Sequence, residues 1–279
     1  MSTSEVIVEV QGLEYIYPSG SRAIDGVDLQ IRRGEFLGII GQNGAGKTSL
    51  VKHFNGLLKP TRGRVVVKGL DTRRQQVSSL ARFVGYVFQN PDHQIFANSV
   101  REEIAFGPRN IGMDRATIEK NVEEAIEILD LSAVTDIHPF RLSRGQRQRL
   151  AIAGVLAMRP EVFILDEPTG GQDREQVLRL RRVLQQLNEA GHTIILITHD
   201  MELLAESTRR AIAMSRGRVV LDGEPAEVFK HTDVLAETFL QPPQIARLSM
   251  ALGFGRPAMT VEEAAAEIAR RAEKRESRV

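Results

Sequence analysis

Hydrophobic and polar positions along this chain fall into two recurring patterns. Short stretches that are rich in β-branched residues, alternating or apolar, occur at Val6–Val10, Val65–Lys68, Val84–Phe88, Val162–Leu165, Thr193–Thr198 and Val219–Leu221, and these predict strands. Between them, apolar residues recur at helical spacing over Thr48–Leu58, Arg115–Leu129, Gly145–Met158, Asp173–Ala190 and Met201–Glu206. Strands alternating with helices predict an α/β fold with a mostly parallel sheet covered on both faces. The runs Phe36–Ile40, Val162–Leu165 and Ile194–Ile197 are apolar throughout, as central covered strands require. Residues 90–159 carry little strand signal and read as a helical subdomain inserted into that core. After Gln241 the pattern changes to Pro242-Pro243, a Met- and Gly-containing segment, and an Ala/Glu/Arg helix opened by Thr260 with Glu263 three residues on, a capping box. That tail reads either as a solvated terminal helix or, through the apolar part of Ile245–Met259, as a small association module.

One loop changes this fold-level picture into a chemical one. Gly41-Gln42-Asn43-Gly44-Ala45-Gly46-Lys47-Thr48 follows the buried FLGII run and precedes a helical pattern, matching G-x-x-x-x-G-K-[ST] in the context it requires. Glycines allow successive backbone N–H groups to curl around phosphate oxygens, and the helix N-terminus adds partial positive charge there. Lys47 reaches the β- and γ-phosphates as a point charge, and the Thr48 hydroxyl offers an oxygen to Mg²⁺. Val162–Leu165 then runs directly into Asp166-Glu167, so two carboxylates emerge at a strand end beside that loop. Asp166 is expected to hold Mg²⁺ through water, and Glu167 to orient or deprotonate the attacking water. The strand Thr193–Thr198 ends at His199, a short donor able to reach a γ-phosphate or fix the water. In a parallel sheet these strand ends share one edge, where ligands collect.

Composition narrows the alternatives. The chain has 279 residues and no cysteine, so thiolate metal sites, disulfides and cysteine nucleophiles are excluded. With 37 basic and 36 acidic residues the net charge is +1, which argues against nucleic-acid binding by bulk electrostatics. No apolar run approaches the roughly 18 to 20 residues that cross a bilayer. The opening MSTSEVIVEV lacks the basic and apolar regions of a secretion signal, so the cytoplasm is the expected compartment.

Gln89 follows the strand Val84–Phe88, and Leu142-Ser143-Arg144-Gly145-Gln146 opens the helix running to Met158. With the loop, Asp166-Glu167 and His199, these residues resemble the nucleotide-binding subunits of ABC transporters across residues 6–240, leaving 241–279 as an extension. More narrowly, Gln89-Asn-Pro-Asp-His-Gln-Ile-Phe96, Phe106-Gly-Pro-Arg-Asn110 and Ala151-Ile-Ala-Gly-Val-Leu-Ala157 are similar to the ATPase subunits of energy-coupling factor (ECF) transporters, which import vitamins or Co²⁺/Ni²⁺. The resemblance implies a P-loop fold with an antiparallel N-terminal β portion, and ATP and Mg²⁺ as ligands. It implies a head-to-tail pair of ATPase subunits, identical or not. Each ATP lies between residues 41–49 of one chain, Ser49 included, and Ser143, Arg144, Gly145 and Gln146 of the other. Asp173 then serves communication across the dimer, and Gln89 touches Mg²⁺ and the water. Tyr17 stands where the family stacks an aromatic on adenine, with Tyr15 as the alternative. Partners on the cytoplasmic membrane face would be an integral transmembrane subunit, seated near Pro91–Val100, and a substrate-binding membrane subunit.

Two positions depart from the family. Arg144 stands where it usually has Gly, and Gln172 where a leucine normally precedes Asp173. A large cation near the opposing γ-phosphate is expected to slow turnover relative to a glycine version. These departures keep open a second reading, a mainly regulatory subunit that hydrolyses weakly beside a more active homologue. Soluble repair or translation ATPases of the family carry two nucleotide domains or a long coiled coil, for which 279 residues leave no room.

Overall fold

The structure is a computed structural model and describes residues 5–276; Met1–Ser4 of the opening segment and residues 277–279 of the extension lie outside the described residues. Two sheets are packed against each other. The smaller is antiparallel, in the order β2 (Arg22–Arg32), β1 (Val6–Ile16), β4 (Arg62–Val67), β5 (Leu70–Asp71). The larger runs β10 (Arg218–Gly223), β9 (Arg210–Ser215), β3 (Phe36–Ile40), β8 (Thr193–Ile197), β7 (Val162–Asp166), β6 (Val84–Val87). Within it β9, β3, β8, β7 and β6 are parallel, and only the edge strand β10 is antiparallel to its neighbour. β3, β7 and β8 are buried at every position, as their unbroken apolar runs demand.

Helix α1 (Lys47–Phe54) fills the space between the sheets, where Leu50, Val51 and Phe54 pack with Val8, Leu13, Ile24 and Val65. It stops short of the expected Leu58, because Gly56 takes a φ of +75° and breaks the helical path. Between β6 and β7 the chain supplies α3 (Val100–Asn110), α4 (Arg115–Ile128) and α5 (Arg144–Leu156), after the short α2 (Val77–Leu80) that precedes β6. Ile104, Val122, Ile126, Leu150 and Ile152 from these helices share one cluster with Phe163, Leu165, Ile194 and Leu196 of the large sheet. Helix α6 (Arg174–Glu189) joins the same cluster through Leu180, Val183, Leu184 and Leu187, at the i, i+3, i+4, i+7 spacing of an apolar stripe.

A third cluster packs against β3 and β9 through Ile40, Ala211 and Ala213. Helices α7 (Met201–Ser207), α8 (Pro225–Lys230), α9 (Thr232–Glu237) and α10 (Gln244–Ala251) contribute Leu204, Phe229, Leu235 and Ala246, with Met259 from the following loop. Part of the Ile245–Met259 segment is thus packed inward, while Leu248 and Leu252 remain about half exposed. Helix α11 (Val261–Glu276) begins after Thr260, whose hydroxyl accepts from the Glu263 N–H at 3.2 Å; Glu263 in turn accepts from the N–H of Met259 at 2.7 Å.

β2, β9 and α3 were not legible as elements. In β2 the buried residues Ile24 and Val27 are three apart, because a bulge around Gly26 (φ +71°) shifts the alternation by one. Helix α3 contains Gly107 and Pro108, two poor helix formers, and is held at its start by the Ser99 hydroxyl accepting from the Glu102 N–H.

Candidate functional site

The chain leaves β3 at Ile40 and turns immediately into the loop Gly41–Gly46. The glycines at its two ends are required by space. Gly41 and Gly46 have φ of +149° and +103°, and a β-carbon there would lie 2.4 Å from the Met214 carbonyl oxygen and 2.5 Å from that of Ala23, respectively. The loop therefore threads between β9 and the start of β2, and Gly46 caps α1 so that the first N–H groups of that helix open into a cleft. Lys47 Nζ donates to the carbonyls of Gly41 (2.7 Å) and Gln42 (3.1 Å). Burial lowers the pKa of its ammonium, and the Glu167 and Asp166 carboxylates work against that shift.

β7 carries Asp166 to the same place. Thr48 Oγ1 donates to Asp166 Oδ2 at 2.8 Å, and the Tyr86 hydroxyl donates to the same oxygen at 2.7 Å. Burial, then the Asp166 charge, push the Tyr86 phenol far above its ordinary value, so it stays a donor. Glu167 adopts a left-handed backbone conformation, φ +49°, uncommon for a side chain with a β-carbon, and its N–H donates to the Ile197 carbonyl of β8 at 2.9 Å. That turn presents its carboxylate to the end of β8. There Glu167 Oε2 lies 2.6 Å from His199 Nδ1 and accepts from the His199 backbone N–H at 3.3 Å. A carboxylate can only accept, so Nδ1 carries the proton in this contact.

The cleft, about 320 Å³, is lined by Asn43–Ser49 with Tyr17, Gln89, Asp166 and Glu167. Gly41 and Gln42 do not line it; they hold Lys47. Tyr17 is partly exposed and its hydroxyl is 2.9 Å from Ser49 Oγ. Tyr15 instead packs edge-on to Tyr17 and to His53 at 4.9 Å against the core, so Tyr17 is the ring that faces the cleft. Ser21, Arg22 and Ala23 also line it and had no recognisable signal in the sequence. Tyr86 was missed for a related reason: its approach to Asp166 depends on the pairing of β6 with β7, which places Tyr86 opposite Ile164.

Ser143–Gln146 do not line this cleft. They begin α5 with a capping box: Ser143 Oγ accepts from the Gln146 N–H at 3.3 Å, and Gln146 Oε1 accepts from the Ser143 N–H at 2.9 Å. Asp173 caps α6, accepting from the Gln176 N–H at 2.9 Å.

No cluster of three or more His, Cys, Asp or Glu able to hold a metal occurs among the described residues. The Thr48 hydroxyl and Asp166 carboxylate are hard oxygen donors within hydrogen-bond distance of each other, with the Gln89 amide in the same cleft. That donor set fits Mg²⁺, which keeps water and substrate oxygens around it and takes only one or two protein carboxylates. Among the described residues no helix is long and apolar enough to cross a membrane.

A family model described as ABC transporter matches residues 24–170. An ATP-binding relative of that kind from Caldanaerobacter subterraneus is 47% identical over 262 residues, 94% of this chain but 46% of the relative. The energy-coupling factor transporter ATP-binding protein EcfA of Methanoculleus marisnigri is 43% identical over 247 residues, 88% of this chain and 89% of the relative. This chain thus spans less than half the length of the first relative and nearly all of the second. The solved structure of cbiO1 from Clostridium perfringens, part of the ABC transporter complex cbiONQ, superposes with a TM-score of 0.75 at 36% identity, covering 90% of this chain and 100% of that one. The strand order, the glycine-framed loop, the paired carboxylates and these matches agree, and the chain belongs to the ABC transporter family.

Proposed function

We propose that this chain binds and hydrolyses ATP with Mg²⁺ and so energises an ECF-type importer of vitamins or transition-metal ions. The observation that carries this is the convergence on one cleft of Lys47, Thr48, Asp166 and a Glu167 carboxylate already held by His199. The backbone N–H groups of 43–48 and the Lys47 ammonium bind the β- and γ-phosphates, and the Tyr17 ring stacks on adenine. Thr48 and Asp166, with Gln89, would hold Mg²⁺, which when bound neutralises charge developing on the phosphate oxygens. Glu167 orients the attacking water and accepts its proton, and His199 fixes the rotamer in which it does so. Ser143, Gly145 and Gln146, with the backbone of Arg144, serve the nucleotide of a second ATPase subunit, identical or homologous, and Asp173 communicates between the two.

Residues 6–240 form the ATP-binding domain in this reading, and 241–279 an extension that supports pairing; the exposed Leu248 on α10 and Leu252 just after it favour that role. The chain works on the cytoplasmic face of the membrane, against a transmembrane subunit and beside a substrate-binding membrane subunit. An apolar spot where Phe96, 58% exposed, meets Phe106 edge-on at 4.4 Å suits such a docking site. The names of the EcfA relatives and of the cbiONQ complex support the transporter class. A second reading, a regulatory partner that hydrolyses weakly, is favoured only by the departures at Arg144 and Gln172.

Steady-state Mg-ATPase of the purified chain, alone and mixed with a sister ATPase, separates the two readings. The motor reading expects a rate that Glu167→Gln abolishes, with the Gln variant forming an ATP-dependent dimer. Binding of ATP with no rate to lose would establish the regulatory reading, and failure to dimerise with any sister would remove both.

A further inference from the structure

The Arg144 guanidinium lies over the open face of Gly171, where a side chain would otherwise stand. A β-carbon built on Gly171 would lie 3.1 to 3.3 Å from Nη1, Cζ and Nε of the Arg144 guanidinium, and one on Gly170 would lie 3.6 Å from Nη2. The side chain is exposed and, among the described residues, has no acidic partner within ion-pair distance. What it rests on is the flat, side-chain-free backbone of Gly170-Gly171, in the loop that leads out of Glu167 into α6. Gly171 has a φ of +73°, which favours glycine for a second reason.

The contact has a counterpart one residue on. A β-carbon on Gly145 would lie 2.8 to 3.0 Å from the Gln176 amide of α6. Thus the start of α5 sends Arg144 onto a glycine of the loop, and the start of α6 sends Gln176 onto a glycine of α5. The same junction is closed farther along by Asp130, whose Oδ2 pairs with both Arg149 of α5 and Arg179 of α6. By contrast the loop itself is held by little. Gln172 donates from its backbone N–H to the Thr169 carbonyl at 3.0 Å and from Nε2 to the Pro168 carbonyl at 2.9 Å, and Gly170 N–H reaches the Glu167 carbonyl at 3.4 Å. Among the described residues no hydrogen bond from outside Glu167–Asp173 reaches residues 168–172. Two adjacent glycines carry the largest backbone entropy to be lost on ordering.

From this geometry we infer that Arg144 is a positioning residue: its planar guanidinium, seated on Gly170-Gly171, orders the loop behind Glu167 and thereby holds the carboxylate in place for hydrolysis. The inference rests on the ATPase reading above. It reverses the sign expected when Arg144 is imagined beside an opposing phosphate, because the side chain is folded onto its own chain. A lysine keeps the charge but is a flexible point donor without a planar face, so it cannot take the same seat.

The test uses Arg144→Gly, Arg144→Gln and Arg144→Lys with two measurements on the full chain. In amide hydrogen exchange, all three variants are expected to exchange faster at residues 169–173, by about fivefold or more, with β3, β7 and β8 unchanged. In steady-state ATPase all three are expected to lose about three- to tenfold in kcat with KM for ATP unchanged, since the seat orders Glu167 and touches no nucleotide. Gly171→Ala, which intrudes on the seat, should reproduce the Arg144→Gly loss, and the double variant should be no worse than either single one. A faster Arg144→Gly enzyme, a Lys variant that restores full rate, or additive losses would overturn the inference. Unchanged exchange at 169–173 would overturn it even if the chain hydrolyses no ATP, so this arm fails independently of the ATPase reading.

Discussion

The phenolic hydroxyl of Tyr86 donates to the buried carboxylate of Asp166 at 2.7 Å, on the same oxygen that accepts from Thr48. The oxygen offered to a cation is thus oriented from β6 as well as from α1. Partners of this kind typically set metal affinity by about 10- to 100-fold. Tyr86→Phe keeps the ring and its edge-on contact with Phe88 but deletes the donor. The Mg²⁺ concentration giving half-maximal ATP hydrolysis, or half-maximal ATP binding in the Glu167→Gln background, should rise about tenfold. An unchanged Mg²⁺ titration would show that Thr48 alone suffices to orient Asp166.

His199 bonds to Glu167 twice, through Nδ1 and through its backbone N–H. A backbone bond survives any side-chain replacement, so His199→Ala isolates the imidazole. If Glu167 is the base proposed above, losing the group that fixes it is expected to lower kcat by about 10²-fold, within the range seen for general acid–base groups, while ATP affinity changes little. Rapid-quench measurement of a single turnover separates that loss from slowed product release. Should ATP affinity fall as much as kcat, the imidazole would be binding nucleotide rather than holding Glu167.

Tyr17 and Tyr15 offer a direct comparison. Only Tyr17 lines the cleft, and base–aromatic stacking contributes about 1 to 3 kcal/mol. Tyr17→Ala should weaken ATP binding by about tenfold or more, and Tyr17→Phe, which keeps the ring and loses only the Ser49 contact, by far less. Tyr15→Phe should leave ATP affinity unchanged. Equilibrium titration with a fluorescent adenine nucleotide reads all three, and equal losses at both tyrosines would mean that packing, not stacking, sets the effect.

What the sequence disclosed and what it withheld follow one physical division. The loop 41–48 is legible because a phosphate cradle needs its glycines, lysine and hydroxyl in consecutive positions, so the chemistry is local in the chain. Asp166-Glu167 is legible because it terminates an uninterrupted apolar run. Tyr86, Ser21–Ala23 and the seat of Arg144 on Gly171 are not, since each depends on which strand or helix start lies beside another. In β2 the alternation is intact from Val27 to Arg32, but the bulge at Gly26 puts Ile24 out of phase with it, so the first half of the strand does not join the second as one period-two pattern.

His53 gives the fold a defined acid weakness. It lies wholly buried on α1 behind the loop, with Nδ1 2.7 Å from the Ser49 carbonyl oxygen and its ring edge-on to Tyr15. A carbonyl can only accept, so the proton is on Nδ1, and Nε2 is buried without a hydrogen-bond partner. Burial lowers the pKa of this imidazole from its ordinary 6.5 to about 4, outweighing the bond to Ser49. The folded chain therefore refuses a proton that the unfolded chain accepts. Stability is intact above pH 6.5, declines as pH falls through the window between 6.5 and about 4, and levels once both states are protonated. A drop of that size corresponds to about 3 kcal/mol, a large part of a typical domain's stability. Urea unfolding at pH 7.5, 6, 5 and 4 should show the midpoint falling over that window. His53→Leu, which has no proton to gain, should show a flatter profile, whatever its stability at neutral pH. Parallel profiles for the two proteins would place the acid sensitivity in carboxylates and leave His53 without a part in it.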